Sequence, residues 1–254
     1  MTDANVQFFL AGDVYLDIFD ANNQPLGLIG PMNGETVAAK PEADRIDQLS
    51  KMRDSYGQVR NSVNLPKPST LTLALRDVPT EVLAMALGGS VVDVNETAQT
   101  VTDESVTAKL GRWVDLQYRN INAGSVVVTD SGGTITYLEG TDYEINYHLG
   151  LIRAIEGGAI TDGQSLLVDY ATSAVTGKRI TAMTRSQFKC RILVDGVNMA
   201  DDNKQVHAEI YRATLTADGE IDLLAEEHLT VSFTGTMETP AGKSEPYTLD
   251  RLAI

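Results

Sequence analysis

Cysteine, histidine and aromatic residues are all scarce in this chain, and each scarcity removes a class of chemistry. A single cysteine, Cys190, makes an intrachain disulfide impossible. It lies on the apolar side of an alternating stretch, where a thiol is buried and inert rather than poised as a nucleophile. Three histidines, His148, His207 and His228, are scattered without H-x-x-x-H spacing, and there is no C-x-x-C, so no zinc site is expected. The G-x-S-x-G, G-x-x-x-x-G-K-[ST] and G-x-G-x-x-G sequences are missing, which removes the common nucleophile-elbow and phosphate-cradling readings. Aromatics make up 6%, low for a sugar cleft, and no acid sits in an aromatic setting that would raise its pKa. Among 35 carboxylates a glycosidase-like acid pair stays open on sequence alone. Asp201-Asp202-Asn203 and Asp93, Asn95 and Glu96 read as turn chemistry rather than as calcium loops. No stretch approaches the ~18 apolar residues that cross a bilayer. Met1 to Asn5 lack the basic region and apolar run of a signal peptide, so synthesis in the cytoplasm and no membrane insertion are expected. The chain is expected not to be an enzyme and to hold no cofactor or metal.

Basic residues are also in short supply. The net charge is −15, and neither Asp77–Ala108 nor Ala213–Gly242 contains a Lys or Arg, while each holds six acids. Such a chain is a poor ligand for nucleic-acid backbone or anionic membrane. Its acidity reads either as solubilising surface or as a surface that repels an anion.

What is present is alternation. Phe188, Cys190, Ile192 and Val194 alternate with Lys189 and Arg191 before Asp195-Gly196 breaks the run. Val206, Ala208 and Ile210 alternate with His207 and Glu209, and Leu229, Val231 and Phe233 alternate with Thr230, Ser232 and Thr234. Period-two patterning of this kind predicts an antiparallel meander with one buried face and one wet face. Near the N-terminus, Val14, Leu16 and Ile18 form a strand, Asn22 to Pro25 a turn, and Leu26 to Ile29 a returning strand. Leu71, Leu73 and Leu75 mark another strand, followed by a helix start at Asp77–Glu81 and a short amphipathic helix with Val82, Leu83, Ala86 and Leu87, which Gly88-Gly89 stops. Between them Glu35–Pro68 is polar, carries both charges and is bracketed by prolines. It reads as a long loop in which Ile46, Leu49, Met52 and Tyr56 form a helical stripe, and a loop of that length is usually functional or ordered by a partner. Asn95–Glu104 reads as a linker. Leu110–Ala171 has short strands at 125–129, 134–138, 144–147 and 166–170 with glycine-rich turns, the spacing of a small β-sandwich, with Trp113 and the tyrosines as core or corner residues.

Three stretches carry a resemblance to a known family. They are Arg191-Ile-Leu-Val-Asp-Gly-Val-Asn, the run from Glu209 through Leu215, Gly219 and Ile221 to Leu224, and Leu229-Thr-Val-Ser-Phe-Thr-Gly. Together they resemble the major tail tube proteins of long, non-contractile-tailed bacteriophages (siphophages). Lys67-Pro-Ser-Thr-Leu-Thr-Leu through Gly88-Gly89 is similar to that family's strand followed by a short helix. The inserted unit, with Gly140-Thr-Asp-Tyr-Glu-Ile-Asn, is similar to β-modules of other virion proteins. The resemblance implies a mainly β fold: a tail-tube β-sandwich/barrel sector at 1–108 and 174–254, with a short α-helix and a long arm loop at 35–68, and an inserted small Ig-like β-sandwich at 109–173. It further implies stacked hexameric rings forming a hollow tube in the virion, assembled in the host bacterial cytoplasm. The implied partners are further copies of the chain, tape measure protein, tail tip and terminator proteins, and phage DNA passing through the lumen without specific binding. On this reading Arg45, Ile46, Leu49, Met52, Arg53, Tyr56 and Val59 contact neighbouring protomers or rings. Glu209, His207, Thr72, Thr230 and Ser232, on polar strand faces, are the lumen-facing candidates. The competing readings are a monomeric two-domain β binding module for a glycan or protein receptor, and a carboxylate-dependent hydrolase.

Overall fold

The computed structural model describes residues 7–252 except 21, 223, 225 and 227, so the readings made at Met1–Asn5 and at Leu223 lie outside the described residues. The fold is mainly β and antiparallel. Along the chain run β1 (Leu10–Phe19), β2 (Pro25–Leu49), β3 (Val59–Leu75), α1 (Thr80–Ala86), β4 (Ser90–Glu96) and β5 (Thr100–Thr107). There follow β6 (Trp113–Asp115), β7 (Val127–Asp130), β8 (Thr136–Tyr137), β9 (Tyr143–Asn146), β10 (Leu151–Ala154) and β11 (Ser165–Ala171). The chain closes with β12 (Val175–Thr181), β13 (Phe188–Asn198), β14 (Lys204–Ala217), β15 (Val231–Met237) and β16 (Tyr247–Arg251). It divides into two compact units, one of residues 1–92 and 180–254, the other of residues 93–179. The divisions fall outside the expected 109–173 because Thr100–Thr107, which begins within the stretch read as a linker, is a strand that pairs with β11. Its polar residues are those of an edge strand, which a sheet keeps charged to prevent further pairing.

In the first unit the strands pair in the order β13-β1-β2-β3-β15-β14-β16, and β13 also pairs with β14, so six of them form a closed circuit. The alternation in each strand supplies the reason. Val14, Leu16 and Ile18 of β1, Leu71, Leu73 and Leu75 of β3, Cys190 and Ile192 of β13, Ile210 and Leu215 of β14 and Val231 and Phe233 of β15 make one buried cluster. Each such side chain removed from water contributes about 1.5–3 kcal/mol. β13 does not stop at Asp195-Gly196 but runs on to Asn198, because Gly196 sits directly opposite Gly12 and the ladder with β1 continues through both. Val82 and Met85 of α1 join the same core. The helix ends as its glycines require: Gly88, at φ +61, donates to Met85 O, and Gly89 donates to Ala84 O, which satisfies its last carbonyls. Cys190 is fully buried, and burial pushes its thiol up to about 12.

The second unit stacks the sheet β5-β11-β7-β8 and the sheet β6-β10-β9 around their own core, which includes Val128, Tyr137, Tyr143, Leu166, Val168 and Tyr170. The Tyr170 hydroxyl donates to Glu104 Oε2 at 2.5 Å and accepts the Tyr118 amide at 3.2 Å, so the buried phenol is satisfied. Trp113 is not a core residue. It is 41% exposed, and the Arg153 guanidinium lies 4.7 Å from its ring centre. Asp142 pins two turns together: its carboxylate accepts the Leu138 amide at 2.9 Å and the Ala159 amide at 2.8 Å. Those two bonds, Leu138 first, hold its carboxyl below the ordinary 3.8. A depressed folded-state value means that the stabilisation is complete above that pH and is lost as pH falls through the folded value. Asp142→Asn is therefore expected to lower the melting midpoint of this unit at pH 7 and to blunt its loss of stability below about pH 4. Trp113, the chain's lone tryptophan, reports both through its fluorescence.

Candidate assembly surfaces

The segment 35–68 is not a loop but the two strands of a long hairpin. β2 changes partner along its length: Phe19 to Asp13 of β1 face its residues 25–33, and β3 faces its residues 34–49. β15 pairs with β3 only from Thr70 to Leu75. Beyond Lys40 and Thr70 the two strands continue alone, from Glu42 opposite Lys67 to Leu49 opposite Val59. At ~3.3 Å per residue this arm is about 30 Å long. Its tip is a closed turn in which Ser50 donates to Gln58 O at 2.7 Å, Gly57 donates to Ser50 O at 2.9 Å, and the Ser50 and Ser55 hydroxyls meet at 2.7 Å. The helical stripe is thus a coincidence of spacing: Ile46 and Leu49 are on β2, and Met52 and Tyr56 are in the turn. The prolines fit because both strands are edges and one of them, Pro41, lies at a register shift between Lys40 and Glu42.

The arm's charges and apolar groups are treated differently. Lys40 pairs with Glu42 at 3.3 Å, Arg45 with Asp47 at 2.7 Å and Lys67 with Asp44 at 2.8 Å. The Ser62 hydroxyl, then Arg45, hold the Asp47 carboxyl below its ordinary value. Exposed pairs of this kind contribute about 0–1 kcal/mol each, and only Lys67–Asp44 links the two strands. Arg45 is thereby matched within its own arm. The apolar groups are left in water: Ile46 and Leu49 are 56% exposed, Met52 62% and Tyr56 78%. Val59, Val63 and Leu65 are exposed as well, and Ile46 and Val63 are direct cross-strand neighbours. Lys51, Arg53 and Arg60 around the tip make no ion pair among the described residues.

The lumen candidates fall on two patches of the outward face of the first unit. Glu209 and His207 lie together on β14. The Arg191 Nε donates to Glu209 Oε1 at 2.7 Å, and His207 Nε2 is 3.1 Å from Asp195 Oδ1. His207 stands in a cross-strand row with Asp13, Asp195 and Asp250, and Glu209 in the next row with Tyr15, Leu193 and Thr248. Thr72 and Ser232 lie instead on β3 and β15, Thr72 opposite Thr234 and Ser232 opposite Ala74, with Thr230 just before β15. That second patch is an ordered hydroxyl array that the sequence reading missed. Three T-x-T segments on adjacent strands align as Thr72–Thr234–Thr216 and Thr70–Thr236–Thr214. The second row is extended by Lys40 and Lys189 at its ends. Lys189 lies 4.0 Å from Glu238, so this face carries charges of both signs. The three T-x-T repeats are visible in the sequence; only their common register is not.

Two sheet edges complete the picture. Among the described residues no strand pairs with the far side of Pro25–Asn33 or of β16, and Leu26, Leu28 and Leu249 on these edges are exposed. The second unit carries an open polar cleft of about 850 Å³ lined by residues that include Gln99, Gln117, Arg119, Asn120 and Ser173. Among the described residues no group of three or more His, Cys, Asp or Glu side chains is placed to hold a metal, and no helix is long and apolar enough to cross a membrane. A family model described as "Protein of unknown function UCP028589" matches residues 7–246. No curated protein matches the chain.

Proposed function

We propose, for a chain that belongs to the UCP028589 family of proteins of unknown function, a structural role: it self-assembles as stacked hexameric rings into the tail tube of a long, non-contractile-tailed bacteriophage. The observation that carries this reading is the arm. A two-stranded ribbon is marginally stable on its own in water. This one nonetheless presents seven exposed apolar side chains to solvent, five of them at least half exposed. Covering them is worth on the order of 5–10 kcal/mol before ordering costs, comparable to the ~8 kcal/mol of a micromolar contact. The arm's composition also differs from the rest: 35–68 holds six bases and five acids in a chain of net charge −15. A near-neutral arm can approach further copies of that body without the like-charge repulsion that keeps two acidic bodies apart.

The edges support the same reading. Two unlike open edges on one protomer make a heterologous contact, which closes into a ring when the rotation between copies allows. On this proposal the first unit is the tail-tube sector and the second the inserted Ig-like sandwich. The lumen wall is drawn from the outward face that holds Glu209, His207, Thr72, Thr230 and Ser232. The protein's net acidity and the pairing of charges on this face weaken its hold on phosphate, so DNA slides past. Tape measure, tail tip and terminator proteins are then the tube's partners. A binding module for a glycan or protein receptor is the second reading, favoured by the polar cleft of the 93–179 unit; it predicts a saturable ligand and a monomer. Sedimentation velocity over a hundredfold range of concentration separates them. Ring-sized and larger species that grow with concentration are expected, and a strictly monomeric chain at every concentration overturns the proposal.

A further inference from the structure

The arm tip has a counterpart elsewhere on the first unit. A groove of about 670 Å³ opens between the end of α1, the 182–186 turn and the loop after β14, with Ala86, Leu87, Ala182, Met183, Phe188 and Ile221 on its apolar lining. Met183 is 90% exposed, held at φ +59, with its amide donating to Leu87 O at 3.0 Å. The backbone thus fixes an apolar side chain in water beside an apolar groove. A neighbouring hollow shares Ala86, Gly219 and Ile221 and adds the acids Asp218 and Glu220. Asp222 follows on the same loop, in the 213–242 stretch that has no Lys or Arg. Arg185, the cation among the lining residues, lies over the Phe188 ring at 4.8 Å.

Groove and tip are complementary in both respects that matter. The tip presents Leu49, Met52 and Tyr56 flanked by Lys51, Arg53 and Arg60 against one acid, Asp54; the groove presents an apolar lining flanked by Asp218, Glu220 and Asp222. They also sit at opposite ends of one ladder. The arm leaves β3 at Thr70, opposite Thr236, whereas the groove adjoins the Leu75–Val231 end, where the Asp218 amide donates to Ser232 O at 2.9 Å. β3 alone spans from Val59 at the tip to Leu75 at the groove, about 50 Å if straight. A tip cannot enter the groove of its own chain without breaking that strand.

We infer that the arm tip of one copy seats in this groove of a second copy, Met52 and Tyr56 entering the apolar floor and the three basic residues meeting the acidic loop. The inference rests on the self-assembly proposed above and adds to it a direction: tip and groove at opposite ends give a head-to-tail contact that propagates as an open stack. Two full-length variants test it by mixing. One carries Lys51→Glu, Arg53→Glu and Arg60→Glu; the other carries Asp218→Lys, Glu220→Lys and Asp222→Lys. Each alone sets like charge against like, and the concentration needed for stacking is expected to rise at least about tenfold. Mixed one to one, every tip finds an opposite-charge groove, and stacking is expected to return to near the wild-type threshold. Restoration by mixing is not open to a misfolded variant. If wild type stacks and either variant alone stacks equally well, or the mixture of two folded variants fails to stack, the docking site is wrong while the assembly proposal stands. If wild type itself forms no assemblies, the assembly proposal fails and this inference with it.

Discussion

Excision of residues 42–67, with a short turn joining Pro41 to Pro68, is expected to leave a folded monomer that no longer assembles. The first half of that expectation follows from the pairing. No strand other than its own partner pairs with the arm beyond Lys40 and Thr70, and none of residues 42–67 belongs to the buried cluster of the first unit. The excision therefore removes no core packing and no ladder pairing of the first unit outside the arm itself. The second half follows from the seven exposed apolar side chains of the arm, whose covering favours association. Both strands must be removed together. A cut confined to 44–56 takes most of the β2 half and strands residues 59–65 of β3 without a partner, so a loss of assembly then has two causes. Two native probes verify the fold of the truncated chain: Cys190, buried in the first unit, should resist thiol reagents, and Trp113 should keep its native emission from the second. Assembly of this folded truncation at the wild-type concentration would show that the arm is not the contact.

Gly235→Ala is expected to collapse the first unit and spare the second. Gly235 is in the middle of β15, opposite Leu71 of β3 and Leu215 of β14. A Cβ there would stand 2.0 Å from Thr214 O and 2.9 Å from the Thr214 carbonyl carbon, both backbone atoms of the adjacent strand. A side-chain end can swing aside from such a clash, but a ladder held on both sides cannot. Relief requires β14 and β15 to part, and with them the circuit that encloses Phe233 and Leu215, both fully buried. The cost is expected to be about 3 kcal/mol or more, at the upper end of overpacking effects. The separate cores predict an asymmetric outcome: Cys190 becomes reactive at low denaturant, while the Trp113 transition stays where it is in wild type. Equal destabilisation of both transitions would contradict two independently cored units.

Much of this fold is legible in the chain because its strands are half-buried, and half-burial writes alternation into sequence. Phe188–Ile192, Leu71–Leu75 and Val14–Ile18 show it clearly, and Gly88-Gly89 marks the end of the helix. The arm was not legible for the opposite reason. A ribbon exposed on both faces has no burial to impose a period, and its charges and prolines imitate a loop. The i, i+3 spacing of Ile46, Leu49 and Met52 then imitates a helix. The same physics hid β5, whose exposed, acidic edge character reads as a linker. Among the site residues, Ile46, Leu49, Met52, Tyr56 and Val59 do come together on the arm, and Glu209 joins His207, but Thr72 and Ser232 belong to another patch. Alternation says that a residue points away from the core; it takes inter-strand register to say which neighbours it meets there. The threonine rows are the clearest case, since three T-x-T segments separated by up to 166 positions become one array only through pairing.

The most direct test of the account is an image of the purified full-length protein by negative-stain electron microscopy at high concentration. The account predicts six-fold rings with a central hole, stacking into hollow tubes, and tubes lost from the arm-excised chain. A uniform field of monomers, at concentrations where the protein is folded by its Cys190 and Trp113 probes, would contradict it.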